Sequence, residues 1–191
     1  MARPNILYIH SHDTGRYVQP YGHAVPTPNI QRLAGKGVVC RRNFSMAPTC
    51  SPSRAALVTG MAPHTAGMIG LAHRGFQLHD YRQHLIHTLH DAGYTSALVG
   101  VQHVAPRDEQ IGYHRVILQE GREERARGTA ANAAPAAVEF LRRQAPKQPF
   151  FLSVGFTETH RRYAQPGPLE DPRYCRPPDP LPDTPQTRRD M

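Results

Sequence analysis

The sequence predicts an α/β fold, a mostly parallel sheet flanked by helices. Three observations lead there. Short apolar runs around residues 5–9, 38–40, 96–99 and 150–156 have the length and composition of buried strands. Helix-compatible segments separate them, giving the expected order strand, helix, strand, helix, helix, strand, helix, strand, which suits parallel pairing through helical crossovers. Polar clusters follow three of the strand candidates, around Asp13, His103 and His160. Open parallel sheets bind ligands beyond the carboxyl ends of their strands. A fourth cluster, around Cys50, opens a helix.

Asn5-Ile6-Leu7-Tyr8-Ile9 is the first strand, and His10-Ser11-His12-Asp13-Thr14-Gly15-Arg16 follows it either as a polar loop turned by its aspartate or as part of a site. Thr27 then Pro28 is an N-cap followed by proline at the first helical position, with Ile30, Leu33 and Ala34 as an apolar stripe and Gly35 as the stop. Val38-Val39-Cys40 is a second strand candidate, which would place Cys40 in the core. A helix is expected over residues 52–58, followed by a glycine-containing loop over 61–76 with solvated His64 and His73.

Residues 81–92 read as one amphipathic helix with Leu85, Ile86 and Leu89 inward. His84, His87 and His90 recur on it as a polar face, without the carboxylate or thiol a metal site would add. Ser96-Ala97-Leu98-Val99 is a strand that delivers Gly100-Val101-Gln102-His103 to its end. Residues 105–128 read as charged loop, with 122–127 a solvated face. Residues 130–143 read as a helix in which Pro135 fits the first turn only. Phe150 to Phe156 is the most apolar strand, and 163–187 is proline-rich and extended.

Composition narrows the partners. The 191 residues suffice for one core. Twenty-three basic against 15 acidic residues give a net charge of +8, which favours anionic ligands. The charge is dispersed and carries no nucleic-acid recognition motif, and there is no apolar span for a membrane. Three cysteines make no disulfide framework, and no apolar leader precedes the first strand, so a cytoplasmic setting is expected. Oligomeric state is not legible.

Cys50-x-Pro52-Ser53-Arg54 followed by Leu57-x-Thr59-Gly60 resembles the sulfatase signature of the alkaline-phosphatase-like superfamily. Pro4-Asn5-Ile6-Leu7, Thr27-Pro28-Asn29-Ile30, Asp91-Ala92-Gly93-Tyr94 and Pro149-Phe150-Phe151-Leu152 resemble the same family in the same order. The context of Cys50 and the ending Phe156-x-x-x-His160-Arg161 look most like the heparan N-sulfatase (sulfamidase) branch and its bacterial relatives. The resemblance implies that residues 1–162 are the N-terminal part of a sulfatase catalytic domain. Residues 163–191 would then lead into a missing C-terminal portion that carries an Asp-Asn metal pair.

The resemblance also implies a chemistry. The signature cysteine becomes formylglycine through a separate maturation enzyme, and its hydrate attacks sulfur and later releases sulfate by re-forming the aldehyde. A divalent metal, Ca²⁺ in most of the family, polarises hydrate and sulfate. On this sequence Cys50, Arg54, His103 and His160 become the catalytic set. Asp13, Cys50 and His12 become the metal-binding set. His103, His160 and Gln102 become the groups facing a small-molecule or glycan sulfate ester. Two positions depart from the pattern: His12 stands where the family has a first aspartate, and Val101 where it has a lysine, with Gln102, another cation or nothing replacing that lysine. Imidazole is a poor Ca²⁺ ligand, so His12 is either a ligand to another metal or a group behind the ligands. Two other readings stay open, a phosphodiesterase or phosphonate monoester hydrolase of the same superfamily and a non-catalytic remnant that binds sulfated glycans. With half of the metal shell outside it, the chain alone is expected to be weak or inactive.

Overall fold

The computed structural model describes residues 3–117, 124–144, 148–161, 163, 168 and 171–190. The chain divides into two compact units, Met1–Asp13 with Phe44–Glu158 and Thr14–Asn43 with Thr159–Met191.

The first unit is built on a four-stranded parallel sheet. Its strands are β1 (Ile6–His10), β2 (Thr95–Gly100), β3 (Arg115–Ile117) and β4 (Phe150–Gly155), in the spatial order β1-β4-β2-β3. β4 pairs on both edges, Ile6 to His10 against Phe151 to Gly155 and Thr95 to Gly100 against Phe150 to Gly155. That central place explains its largely apolar run, broken only by buried Ser153, since a parallel strand covered on both faces has no solvent-facing side. Phe150, Leu152 and Val154 pack with Ala97 and Val99 under Ala133, Ala137 and Phe140 of α6 (Ala130–Gln144). Phe151 turns to the opposite face, against Ala55 and Val58 of α2 (Cys50–Thr59) and Ile86 of α4 (Leu85–Asp91). The period-2 alternation of a strand thus makes two cores from one sheet.

Local chemistry sets the helix ends. Gly60 terminates α2 in the left-handed region at φ 68°, and its N–H donates to the Ala56 carbonyl at 2.9 Å. α3 (Pro63–Ala66) starts on proline. α4 starts on His84, whose Nδ1 accepts from the Ile86 N–H at 3.1 Å. α5 (Glu124–Arg127) precedes α6.

Several sequence expectations are corrected. Residues 38–40 form no strand; Val38 and Cys40 are exposed and Val39 only half-buried, because two valines without an adjacent partner strand do not make a core strand. β3 lies instead in the stretch read as charged loop, three residues at the sheet edge. Residues 81–92 are not one helix: a turn at Tyr81–Gln83 breaks at the extended backbone of His84 before α4 begins. The three histidines do not make a solvated face. His84 is buried as the cap, His87 Nε2 donates to the Ile111 carbonyl at 2.9 Å, and His90 Nε2 bonds Ser96 Oγ at 2.7 Å. Residues 61–76 contain α3 and a short turn at Ala72–Arg74. Arg127 is not solvated either, since it pairs with buried Asp108. Pro135 sits at the sixth position of α6, beyond the first turn.

The second unit carries α1 (Pro28–Ala34) and α7 (Pro185–Asp190). Thr27 Oγ1 accepts from the Gln19 N–H at 3.0 Å rather than capping α1, and Ile30 and Leu33 remain exposed instead of forming a buried stripe. The tail is less extended than expected: it holds a turn at Pro172–Tyr174 and then α7, where Arg188 Nη2 donates to Asp183 Oδ2 at 2.7 Å. Among the described residues no helix is long and apolar enough to cross a membrane.

The cap of α4 has a pH signature. A lone pair on His84 Nδ1 is required to accept the Ile86 N–H, so the ring must be neutral. Burial, with His87 and His90 nearby, lowers its pKa from 6.5 to about 4. The unfolded chain therefore takes up a proton that the folded one refuses. Stability is full above pH 6.5 and falls as pH drops toward 4, by roughly 3 kcal/mol from this residue. Urea unfolding midpoints between pH 7 and 4 should show this slope in the native chain. The His84→Asn variant keeps a capping oxygen without titrating, and should remove its share of the slope and leave the share of His10, whose pKa burial also lowers.

Candidate active site

The carboxyl ends of β1, β2 and β4 meet at two glycines. Gly100 and Gly155 face each other in the register, and the Val101 N–H donates to the Gly155 carbonyl at 3.1 Å. Gly100 is held at φ 79°, and a Cβ on either residue would enter the backbone of the neighbouring strand exit. This close approach lets three strand exits share one edge. The Phe156 N–H donates to the His10 carbonyl at 2.9 Å, and the His12 N–H to the Glu158 carbonyl at 2.8 Å. Glu158 Oε1 accepts from Ala130 N–H at 2.9 Å, tying the same exit to the start of α6.

α2 supplies the other wall. Cys50 is its first residue and is half-buried. Thr49, at the N-cap, makes no side-chain cap bond. Ser51 Oγ accepts from the Ala72 N–H at 3.1 Å, which anchors the first turn to the loop beyond α3. One turn after Cys50, the Arg54 guanidinium reaches the end of β1. Its Nη2 donates to the Ser11 carbonyl at 3.1 Å and lies 3.3 Å from His12 Nδ1, and its Nη1 donates to His10 Nδ1. Its Nε is buried without a partner. Burial lowers the Arg54 pKa, while Tyr8, Cys50 and Asp13 act to raise it. His10 stacks on Tyr8 with ring centroids 4.7 Å apart. Burial, then the Arg54 charge, then His12 and His103 push the His10 pKa down to about 3, so His10 is a neutral acceptor. A guanidinium held by neutral acceptors keeps its positive charge for an anion.

His12 is 1% exposed, with Nδ1 2.7 Å from the Phe156 carbonyl and Nε2 2.9 Å from His103 Nδ1. Asp13 and His103 are the two non-glycine residues with positive φ among those described, at 51° and 55°. Left-handed backbone costs roughly 1–2 kcal/mol per residue, and such outliers collect at functional sites.

The sequence-derived candidates thus fall into two groups. Asp13, His12, Arg54, Cys50 and His103 all belong to the first unit. Among them His12 bonds His103, Arg54 reaches His12, and the Asp13 charge favours the charged form of Arg54. His160 belongs to the second unit, where it is exposed and its Nδ1 donates to the Arg161 carbonyl at 2.6 Å. Gln102 spends its amide on the loop after β2. Its Nε2 donates to the Ala105 carbonyl at 2.8 Å and to Asp108 Oδ1 at 3.1 Å, while its Oε1 accepts from the N–H groups of Val104 and Ala105. It is 5% exposed and shapes the loop that presents His103. Sequence reasoning does not single out His10, Phe156 or Glu158. His10 had a signal, since it ends β1 on the same face as Ile6 and Tyr8.

The divalent metal expected from the resemblance finds one oxygen donor here, Asp13. Both ring nitrogens of His12 are engaged by protein groups, and no three His, Cys, Asp or Glu side chains gather around a common point among the described residues. These residues by themselves do not fit a complete metal site.

A sulfatase family model matches residues 4–180. The chain is similar to human N-sulphoglucosamine sulphohydrolase, 32% identical over 173 residues that make up 84% of this chain and 32% of that protein. An arylsulfatase of Clostridium perfringens is 23% identical over 201 residues, 78% of this chain and 40% of that protein. Among solved structures, a protein in complex with its substrate D-glucosamine-2-N,6-O-disulfate superposes with a TM-score of 0.70 at 23% identity, over 91% of this chain and 37% of that one. A 2-O GAG sulfatase superposes with a TM-score of 0.62 at 23% identity, over 83% of this chain and 35% of that one. The chain spans about a third of the length of these relatives.

Proposed function

We propose, because the chain belongs to the sulfatase family, that it is the nucleophile-bearing portion of a hydrolase acting on sulfuric esters or sulfamates. The observation that carries this reading is the half-buried Arg54 guanidinium, one helical turn beyond Cys50, held only a hydrogen bond away from the end of β1. Cys50, once oxidised to formylglycine, supplies a hydrated aldehyde as the nucleophile. Arg54 and the N–H groups of the first turn of α2 place positive charge where a sulfuryl group would sit. His10 holds the guanidinium in place as an acceptor that does not titrate near neutrality. His103, half-buried, is assigned to proton exchange at the departing oxygen or nitrogen, taking up a proton on its outer ring nitrogen before passing it on. His160 is assigned to the substrate side by the resemblance alone. Asp13 is the oxygen ligand this chain would contribute to a divalent cation, with Ca²⁺ the best chemical match.

A sulfated glucosamine is the favoured substrate class. Support comes from the name of the human relative and from the disulfated glucosamine bound to the structural neighbour. The positive balance of the chain suits such an anion. The test is to co-express the chain with a formylglycine-generating enzyme and weigh the Cys50 peptide, and to follow sulfate release by the matured full-length enzyme. Conversion lowers the peptide mass by about 18 Da, and turnover of aryl sulfate should exceed that of the matching aryl phosphate and vanish in Cys50→Ala. An unmodified thiol throughout, or a preference for the phosphate, overturns the reading.

A further inference from the structure

We infer that His12 is a positioning residue that fixes the tautomer of His103, through a relay running from the Phe156 carbonyl through His12 to His103. The Phe156 oxygen can only accept, and His12 Nδ1 lies 2.7 Å from it, so Nδ1 carries the proton. A bare lone pair there would face the carbonyl at that distance. Arg54 Nη2, at the longer 3.3 Å, does not displace this bond, because it donates to the Ser11 carbonyl at 3.1 Å. With Nδ1 protonated, the neutral ring accepts at Nε2, and the atom 2.9 Å away is His103 Nδ1. His103 must then donate from Nδ1, which puts its own lone pair on Nε2. A doubly protonated His12 would reverse the second bond. It would also place an imidazolium, 1% exposed, beside the Arg54 guanidinium, which desolvation and like charge both disfavour.

The frame around the relay is rigid. The Phe156 carbonyl is aimed by the bond from its own N–H to the His10 carbonyl, and His12 by the bond from its N–H to the Glu158 carbonyl. The His103 ring meets the His12 ring edge to face, centroids 4.6 Å apart at 69°, from a left-handed backbone fixed by the neighbouring Gln102 amide. His12 therefore does not serve as a metal ligand, although it occupies the place of a family aspartate. It serves as the group behind a histidine, the role a carboxylate or carbonyl takes behind many functional histidines.

The consequence for catalysis rests on the sulfatase reading; the tautomer does not. Long-range ¹H–¹⁵N correlation spectra of the histidine-labelled 191-residue chain decide the tautomer directly. His12 and His103 should each show a protonated Nδ1 and a bare Nε2. In His12→Leu, His103 should move toward Nε2–H. In His12→Gln, whose carbonyl oxygen reaches the position of Nε2, His103 should stay Nδ1–H. A protonated Nε2 on His103 in the native chain, or a His103 signal indifferent to His12→Leu, overturns the proposal. If His12→Leu does not fold, the native spectrum and the Gln variant still decide it. In the matured full-length enzyme, His12→Leu should lower kcat for aryl sulfate by about 100-fold with little change in KM, and Gln should restore at least about tenfold. Equal losses in both variants count against a tautomer role. Absence of turnover in the unmutated enzyme would defeat the sulfatase reading and leave the spectra to judge the relay.

Discussion

Gly155→Ala should destabilise the first unit by at least about 4 kcal/mol, a large share of the roughly 5–15 kcal/mol that ordinarily holds a domain folded. The reason is steric and lies in the backbone. A Cβ at residue 155 would fall inside the van der Waals shell of the Val101 carbonyl oxygen and 2.6 Å from His10 Cε1. Neither neighbour yields cheaply. Val101 N–H is bonded to the Gly155 carbonyl, and the His10 ring is stacked on Tyr8 and bonded to Arg54. Gly60→Ala is the control. Its φ of 68° is unfavourable for alanine, yet nothing lies within 4 Å of the added methyl, so it should cost only about 1 kcal/mol. Urea unfolding of both variants measures the gap. Equal midpoints would mean that the three strand exits are not locked together, and the geometry argued for Arg54 and His12 would lose its frame.

That glycine pair marks the boundary of what the sequence could tell. β4 was legible because a central parallel strand needs a mostly apolar run, and Phe150 to Phe156 supplies one with Ser153 as its one polar residue. The start of α2 was legible because Cys50, Pro52, Arg54 and Gly60 form a pattern with chemical meaning. β3 was not, because a three-residue edge strand is stabilised by pairing with Ala97 to Val99 and not by its own composition. The opposite error at residues 38–40 has the same root: valines have strand propensity, but propensity without a partner strand does not make a strand. The histidines of residues 84–90 were not legible because a side chain that caps a helix or ties a carbonyl looks, in sequence, like any polar residue on a surface. At the site, the residue types were legible and their partners were not. His12 stood out as a departure from a family pattern and Gln102 as one candidate stand-in for its missing lysine, and only the hydrogen bonds show where their donors and acceptors are spent.

The Gln102 loop gives the second large effect, and it bears on how His103 is held. Asp108 Oδ2 pairs with Arg127 Nη1 at 3.2 Å, with side chains 8% and 15% exposed, while Asp108 Oδ1 accepts from Gln102 Nε2. The pair ties the loop after β2 to α5. Asp108→Ala should cost about 3–5 kcal/mol, because it strands a buried guanidinium whose Nε already lacks a partner. The net worth of the pair is a different quantity. Replacing both residues, as Asp108→Ala with Arg127→Met, removes the stranded charge and should recover most of the loss, since buried ion pairs often exchange for apolar groups near neutrality. A double-mutant cycle on urea midpoints gives the coupling. Recovery in the double variant, together with a His103 ring whose tautomer then loses definition, would show that the ion pair is retained to shape the site loop rather than to stabilise the fold. A double variant as unstable as Asp108→Ala alone would show instead that Gln102 needs the Asp108 carboxylate, because its amide would be the group left unsatisfied.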